Sequence, residues 1–154
     1  MNTGRLLLSI ALCQGIGIVA GWLTAQSVKT WYLTLAKPWF TPPGWVFGPA
    51  WILLYLLMGI ALYLVWQKTG SLKTPAAIMF FVQLGLNGAW SLIFFGLRSP
   101  FWGLIEITFL LGAIAGTVVL FWRVTPAAGV LLVPYLLWVS FATVLNFSIW
   151  LMNR

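Results

Sequence analysis

Chemistry in this chain has to come from aromatic rings, because few other reactive groups are present. Among its 154 residues there are 11 tryptophans, one carboxylate side chain (Glu106), one cysteine (Cys13) and no histidine. Without histidine there is no imidazole base, no Ser-His-Asp triad and no His-ligated metal or haem. A single carboxylate cannot form a paired acid/base site. One cysteine forms neither an internal disulfide nor a CxxC motif, and Cys13 reads as a small apolar residue of a helix. What remains is a set of aromatic and amide side chains at helical spacing. Gln83, Asn87 and Ser91 recur every four residues with Trp90 beside them, which stacks them on one face. Tyr135, Trp138, Ala142 and Leu145 share a face; Trp51 and Tyr55 are one turn apart, as are Trp102 and Glu106. Such polar groups either line a cavity or act as interhelical hydrogen-bond glue. Taken together, the stripes describe a pocket for a flat, apolar ligand. Glu106 is either a ligand or proton partner, or a structural residue that is protonated or paired with Arg98.

Placing these side chains requires helices in a bilayer. Hydrophobic residues make up 62% of the chain and charged ones 6%, far from the roughly 25% charged of a soluble domain. Five apolar stretches, roughly 6–25, 46–66, 76–97, 101–122 and 127–151, are each long enough to span. The expected fold is therefore all-α: one membrane domain over 1–154, a five-helix bundle. Thr74-Pro75, Ser99-Pro100 and Thr125-Pro126 each pair an N-cap with a proline in the first turn and predict three helix starts. Pro134 predicts a kink in the fifth helix. Short linkers make consecutive helices antiparallel. Arg5 and the run after it resemble a signal peptide, but Leu23-Thr24-Ala25 lacks the small residue two places before a cut, so the run reads as a span.

The linker 26–45, QSVKTWYLTLAKPWFTPPGW, is long and rich in proline and aromatics. It predicts a structured lid in which Trp31, Tyr32, Trp39, Phe40 and Trp45 bury apolar surface. The net charge of +7 is spread over helix ends without a basic run, which points to lipid headgroups and not to nucleic acid. Arg5, Lys68, Lys73 and Arg123 fall at one end, Lys29, Lys37, Arg98 and Arg154 at the other, so the positive-inside rule assigns no orientation. Most tryptophans sit at helix ends as an interfacial belt, gathered on the lid side. Trp51, Trp90 and Trp138 lie deeper, and each needs a cavity to line or a partner for its indole N–H.

Three stretches carry a resemblance. Trp31-Tyr32, Lys37-Pro38, Pro42-Pro43, Trp45, Pro49, Trp51, Leu54-Tyr55 and Met58-Gly59 form the first, with Gln83-Leu84, Asn87, Ala89-Trp90, Phe94-Phe95-Gly96 and Arg98 the second. Pro134-Tyr135, Trp138 and Phe141 to Asn146 form the third. In order and spacing they resemble the translocator protein family (TspO/MBR, tryptophan-rich sensory protein, peripheral-type benzodiazepine receptor). The resemblance implies a homodimer in a bacterial cell membrane that binds porphyrins and isoquinoline- or benzodiazepine-type molecules. It places Trp51, Asn87, Trp90, Trp138, Ala142 and Leu145 in the pocket and Tyr32 and Pro42 in its lid. Two departures stand out: Phe40 replaces a tryptophan common before the double proline, and Phe147 replaces the tyrosine of the animal sterol motif.

Two functions follow as expectations. The first is binding of protoporphyrin IX as ligand or substrate, with no tightly bound cofactor and no metal. Light and oxygen would drive its breakdown, and Trp51 and Trp138 would be the electron donors or oxidation targets; the porphyrin's carboxylates would meet Lys37 or Arg98. The second is a non-enzymatic carrier or receptor for tetrapyrroles, sterols or similar molecules.

Overall fold

The computed structural model describes residues 2–154. Helix α1 runs Thr3–Lys29, the short α2 Trp31–Thr34 and α3 Gly44–Thr69. Helix α4 spans Pro75–Ser91 and continues through a π-helical turn, Leu92–Gly96; α5 is Pro100–Val124 and α6 is Pro126–Met152. Five of these helices are long and apolar enough to cross a membrane, as the five apolar stretches predict. Each overruns its apolar stretch by one to four residues at one or both ends, because a helix satisfies its own backbone whether the surroundings are lipid or headgroups. The predicted 26–45 linker shrinks accordingly: α1 absorbs its beginning and α3 its end.

Two of the three predicted caps form. Thr74 Oγ1 accepts from the Ala77 N–H at 3.2 Å and Ser99 Oγ from the Trp102 N–H at 3.3 Å. Thr125 makes no side-chain cap; its carbonyl instead accepts from the Ala128 and Gly129 N–H groups. Gly70 closes α3 at φ 75°, a left-handed conformation suited to glycine. Helix α6 runs through Pro134 without interruption.

The helices close into a ring in the order α1, α3, α6, α5, α4 and back to α1. Helices α3 and α4, although joined by a short linker, make little contact, because α1 stands between them on one side of the ring and α6 with α5 on the other. Half of the ring's interior is solid. Met58, Leu62, Phe80, Ile114, Phe121 and Leu132 are buried there, with Phe80 and Phe121 stacked at 5.5 Å. Cys13 is fully buried within this core. Arg5 lies over the Trp66 ring at 4.9 Å, anchoring that end at the interface.

Close approach of α1 to α3 depends on Gly59, where a Cβ would lie 2.6 Å from Ile10 Cα. A backbone atom cannot move aside as a flexible side chain can. Gly59→Ala is expected to destabilise the protein by about 1–3 kcal/mol, the range for overpacking. Gly85→Ala, where a Cβ meets open space, should change stability by less than about 0.5 kcal/mol. Thermal melts of both variants in one detergent check the contrast.

Candidate ligand-binding site

The site begins at a hydrogen-bonded brace. The Tyr55 hydroxyl of α3 donates to Asn87 Oδ1 of α4. Asn87 Nδ2 donates to the Tyr135 hydroxyl of α6 at 2.9 Å, and that hydroxyl donates to Gln83 Oε1 at 2.8 Å. All four residues are buried. The polar stripe on α4 therefore divides. Gln83 and Asn87 serve as interhelical glue, and Ser91 alone reaches open space. Asn87 does not line the pocket as expected; it lies beneath it, holding the Tyr55 ring that does.

Above the brace the bundle opens into a cavity of about 590 Å³. Trp51, Trp90 and Trp138 all line it, together with Tyr32, Tyr55, Ser91, Ala142 and Leu145. Trp51 sits 5.5 Å from Tyr55 and 6.5 Å from Trp138, the two indoles near perpendicular at 85°. Trp138 continues to Phe47 at 6.0 Å. Trp90 stacks on Phe94 at 5.2 Å, and its Nε1 donates to Asn146 Oδ1 at 3.1 Å. Asn146 in turn donates from Nδ2 to the Pro100 carbonyl at 2.8 Å. The indole N–H of Trp90 thus has a partner while its ring still faces the cavity.

The lid docks on the π-helical turn. Trp31 lies 5.7 Å from Phe94, and Tyr32 lies 5.4 Å from Phe95. Phe40 meets Phe141 at 6.3 Å. Burial raises the Tyr32 phenol above its ordinary value of 10.0. Lys37 is spent on the lid itself: its Nζ sits 4.7 Å over the Tyr32 ring and donates to the Leu35 carbonyl at 3.1 Å. Pro42, which the resemblance places in the lid, lies in the linker just before α3 and does not border the cavity, whereas Gly44 at the start of α3 does. Trp39 and Trp45, expected to bury surface, are 96% and 76% exposed; as interfacial rings they gain more at the headgroups than inside a bundle.

One wall escaped the sequence reading. Helix α1 contributes Gly17, Gly21, Thr24, Ala25 and Lys29, and α3 adds Gly44 and Gly48. The Tyr55 ring occupies the place of a Gly17 Cβ, whereas Gly21, Gly44 and Gly48 face open space. The signal was a spacing of four between glycines, which on its own reads as helix packing. The cavity also opens sideways between α1 and α3, where Ile18 and Ile52 line it and are 70% and 61% exposed. Below that opening Gln14 Nε2 donates to the Ile52 carbonyl at 2.9 Å.

Trp102 and Glu106 take no part. They border a separate groove of about 430 Å³ with Ile93, Leu97, Ile105 and Phe109, on the far side of the π-helical turn. Glu106 is buried, and neither carboxylate oxygen has a hydrogen-bond partner among the described residues. Pairing with Arg98 is thus absent: Arg98 belongs to the turn before α5, and Glu106 lies about 9 Å further along the helix axis. Among the described residues no group of three His, Cys, Asp or Glu could hold a metal.

The TspO/MBR family model matches residues 9–151. Tryptophan-rich protein TspO of Archaeoglobus fulgidus is 47% identical over 153 residues, covering 99% of each chain. Tryptophan-rich protein TspO of Chlorobaculum tepidum is 42% identical, covering 96% of this chain and 95% of its own. The human Translocator protein is 44% identical over 127 residues, 80% of this chain and 75% of its own.

The brace makes a quantitative prediction. Tyr55→Phe removes one hydrogen bond and should cost about 0.6 kcal/mol, the average for such bonds in a membrane. Asn87→Leu removes both links and should cost about 1–2 kcal/mol. The double variant should be no less stable than Asn87→Leu alone, since the two residues share one bond. Reversible unfolding in mixed micelles, followed by tryptophan fluorescence, measures all three.

Proposed function

This multi-pass integral membrane chain belongs to the TspO/MBR family, and from that premise we propose that its cavity binds a tetrapyrrole of the protoporphyrin IX type and holds it for light- and oxygen-dependent breakdown. The observation that carries the reading is the convergence of three indoles, Trp51, Trp90 and Trp138, on one cavity of about 590 Å³ under a lid. That volume lies within the roughly 300–1,000 Å³ of small-molecule sites. A flat conjugated ring gains most from aromatic faces, at about 0.5–1.5 kcal/mol per well-placed pair. A metal-free macrocycle asks for no axial ligand, which suits a chain without histidine. Tyr32, Tyr55, Ser91, Ala142 and Leu145 hold the ring; Trp51 and Trp138 each give one electron to the photo-excited ligand, which passes it to dioxygen, so that the superoxide formed attacks the macrocycle while the oxidised indole loses its N–H proton. Lys29, in the last turn of α1 and on the cavity's rim, meets a ligand carboxylate in place of Lys37. The porphyrin supplies the hard chemistry and the protein supplies position.

A second reading, a non-enzymatic carrier or receptor for tetrapyrroles, sterols or similar apolar molecules, is favoured by the side opening between α1 and α3. Such an opening lets an apolar ligand exchange with the bilayer without passing through water.

Titration of protoporphyrin IX against tryptophan fluorescence, followed by illumination in air, tests both. Saturable quenching with loss of the porphyrin spectrum under light is expected. Saturable quenching with a stable spectrum would leave only the carrier or receptor, and no saturation would remove both. Lys29→Gln should weaken binding of protoporphyrin roughly two- to fivefold, the worth of an exposed ion pair, and leave binding of its uncharged dimethyl ester unchanged. An undiminished photodegradation rate in the double variant Trp51→Phe with Trp138→Phe would sink the electron-donor assignment.

A further inference from the structure

We propose that Asn153 is a positioning residue for the lid: its carboxamide latches Ala36 and governs access to the cavity from the aqueous face on that side. The contact is a two-point pairing across 117 residues of chain. The Ala36 N–H donates to Asn153 Oδ1 at 2.9 Å, and Asn153 Nδ2 donates back to the Ala36 carbonyl at 2.9 Å. The same Nδ2 also donates to the Ile149 carbonyl at 2.7 Å. A carboxamide has one acceptor oxygen and two N–H donors. Here it stands in for a peptide group, pairing with both polar atoms of one residue as a neighbouring strand would. The bond to Ile149, one turn back in α6, orients the carboxamide, so the latch is referenced to a spanning helix.

An ordinary helix cap explains only the Ile149 bond. Satisfying Ala36 in both directions has no capping purpose. Its effect is to fix the point where the lid leaves its aromatic dock. Tyr32 and Leu33 on one side of Ala36 line the cavity; on the other side the chain runs to α3 past Phe40, which rests on Phe141. Among the described residues, every other hydrogen bond of residues 31–42 stays within the linker: Lys37 to Leu35, Thr41 to Pro38, Thr34 to Trp31, Leu33 to Thr30 and Leu35 to Tyr32. Asn153 is therefore the polar tether between lid and bundle, with ring contacts on either side of it. The two bonds to Ala36 lie at an exposed position, where water competes for them. Bonds of that kind open and close readily, and a latch needs that.

This inference rests on the cavity being a ligand site, so the test uses no ligand. Ser91→Cys places a thiol on the cavity wall of the full chain in lipid nanodiscs. A charged, water-soluble thiosulfonate that cannot cross the bilayer side then reports opening of the lid. The parent, whose Cys13 is fully buried, gives the background. Adding Asn153→Ala should speed modification about tenfold, the effect of losing two exposed hydrogen bonds. Asn153→Asp, which keeps the acceptor for the Ala36 N–H and loses the donor, should fall between. Deuterium exchange at the Ala36 amide should rise with the thiol rate, while the thermal midpoint and the exchange of core amides in α3 and α6 stay as in the parent. An unchanged modification rate with Asn153→Ala, or a faster rate accompanied by general loss of protection along α6, would overturn the proposal. A cavity that fails to bind protoporphyrin would leave these rates as they are, so the two readings fail separately.

Discussion

Asn87 is bonded to a tyrosine on each of two other helices, and the bundle divides at that level. On one side the ring of helices is filled by Met58, Leu62, Phe80, Phe121 and their neighbours; on the other it encloses the cavity. The constraint behind this is the solvent. Lipid tails are as apolar as leucine, so burying leucine between helices gains little, and helices associate through close packing and interhelical hydrogen bonds. The Tyr55–Asn87–Tyr135–Gln83 chain supplies those bonds across α3, α4 and α6. With the floor held there, the helix halves beyond it can stand apart without the bundle separating.

The cavity is then a matter of what sits at its walls. Large rings come from α3, α4 and α6, and glycine and alanine come mainly from α1. A wall of rings facing a wall of small residues leaves a slot. The π-helical turn at Leu92–Gly96 sets Phe94 and Phe95 where Trp31 and Tyr32 can dock, so the lid packs on the same aromatic cluster that backs the cavity. The lid's outer rings, Trp39 and Trp45, remain exposed and belong to the headgroup belt.

Much of this was legible in the residues. Apolar stretches, Pro-marked starts and helical spacing were enough to expect five spans and a lid, and to mark Trp51, Tyr55, Trp90, Ser91, Trp138, Ala142 and Leu145, all of which border the cavity; Tyr32 came from the family resemblance alone. Asn87 is the exception, lying beneath the cavity and not on its wall. Spacing places a residue on a face, but whether that face meets a cavity, a partner or a turn in the chain depends on the neighbouring helix. Asn87 was on the right face and one turn too deep. The Trp102–Glu106 stripe on α5 shows the same limit, since it borders a separate groove and not the cavity. The α1 wall was missed for a different reason: glycine leaves the same mark in a sequence whether it admits a neighbouring helix, as Gly59 does, or leaves a gap, as Gly21 does.

By itself, then, the sequence determined the solvent, the number of spans, the lack of imidazole groups and the abundance of indoles. These follow from composition and from periodicity along one chain, which need no knowledge of neighbours. Only the tertiary structure decided that α6 lies between α3 and α5, that Asn87 braces the floor, that Lys29 and not Lys37 stands at the rim, and that Asn153 reaches back to Ala36. Each of these is a contact between residues far apart in the chain. Periodicity fixes the direction of a side chain about its own helix axis, and it carries no information about which other helix stands in that direction.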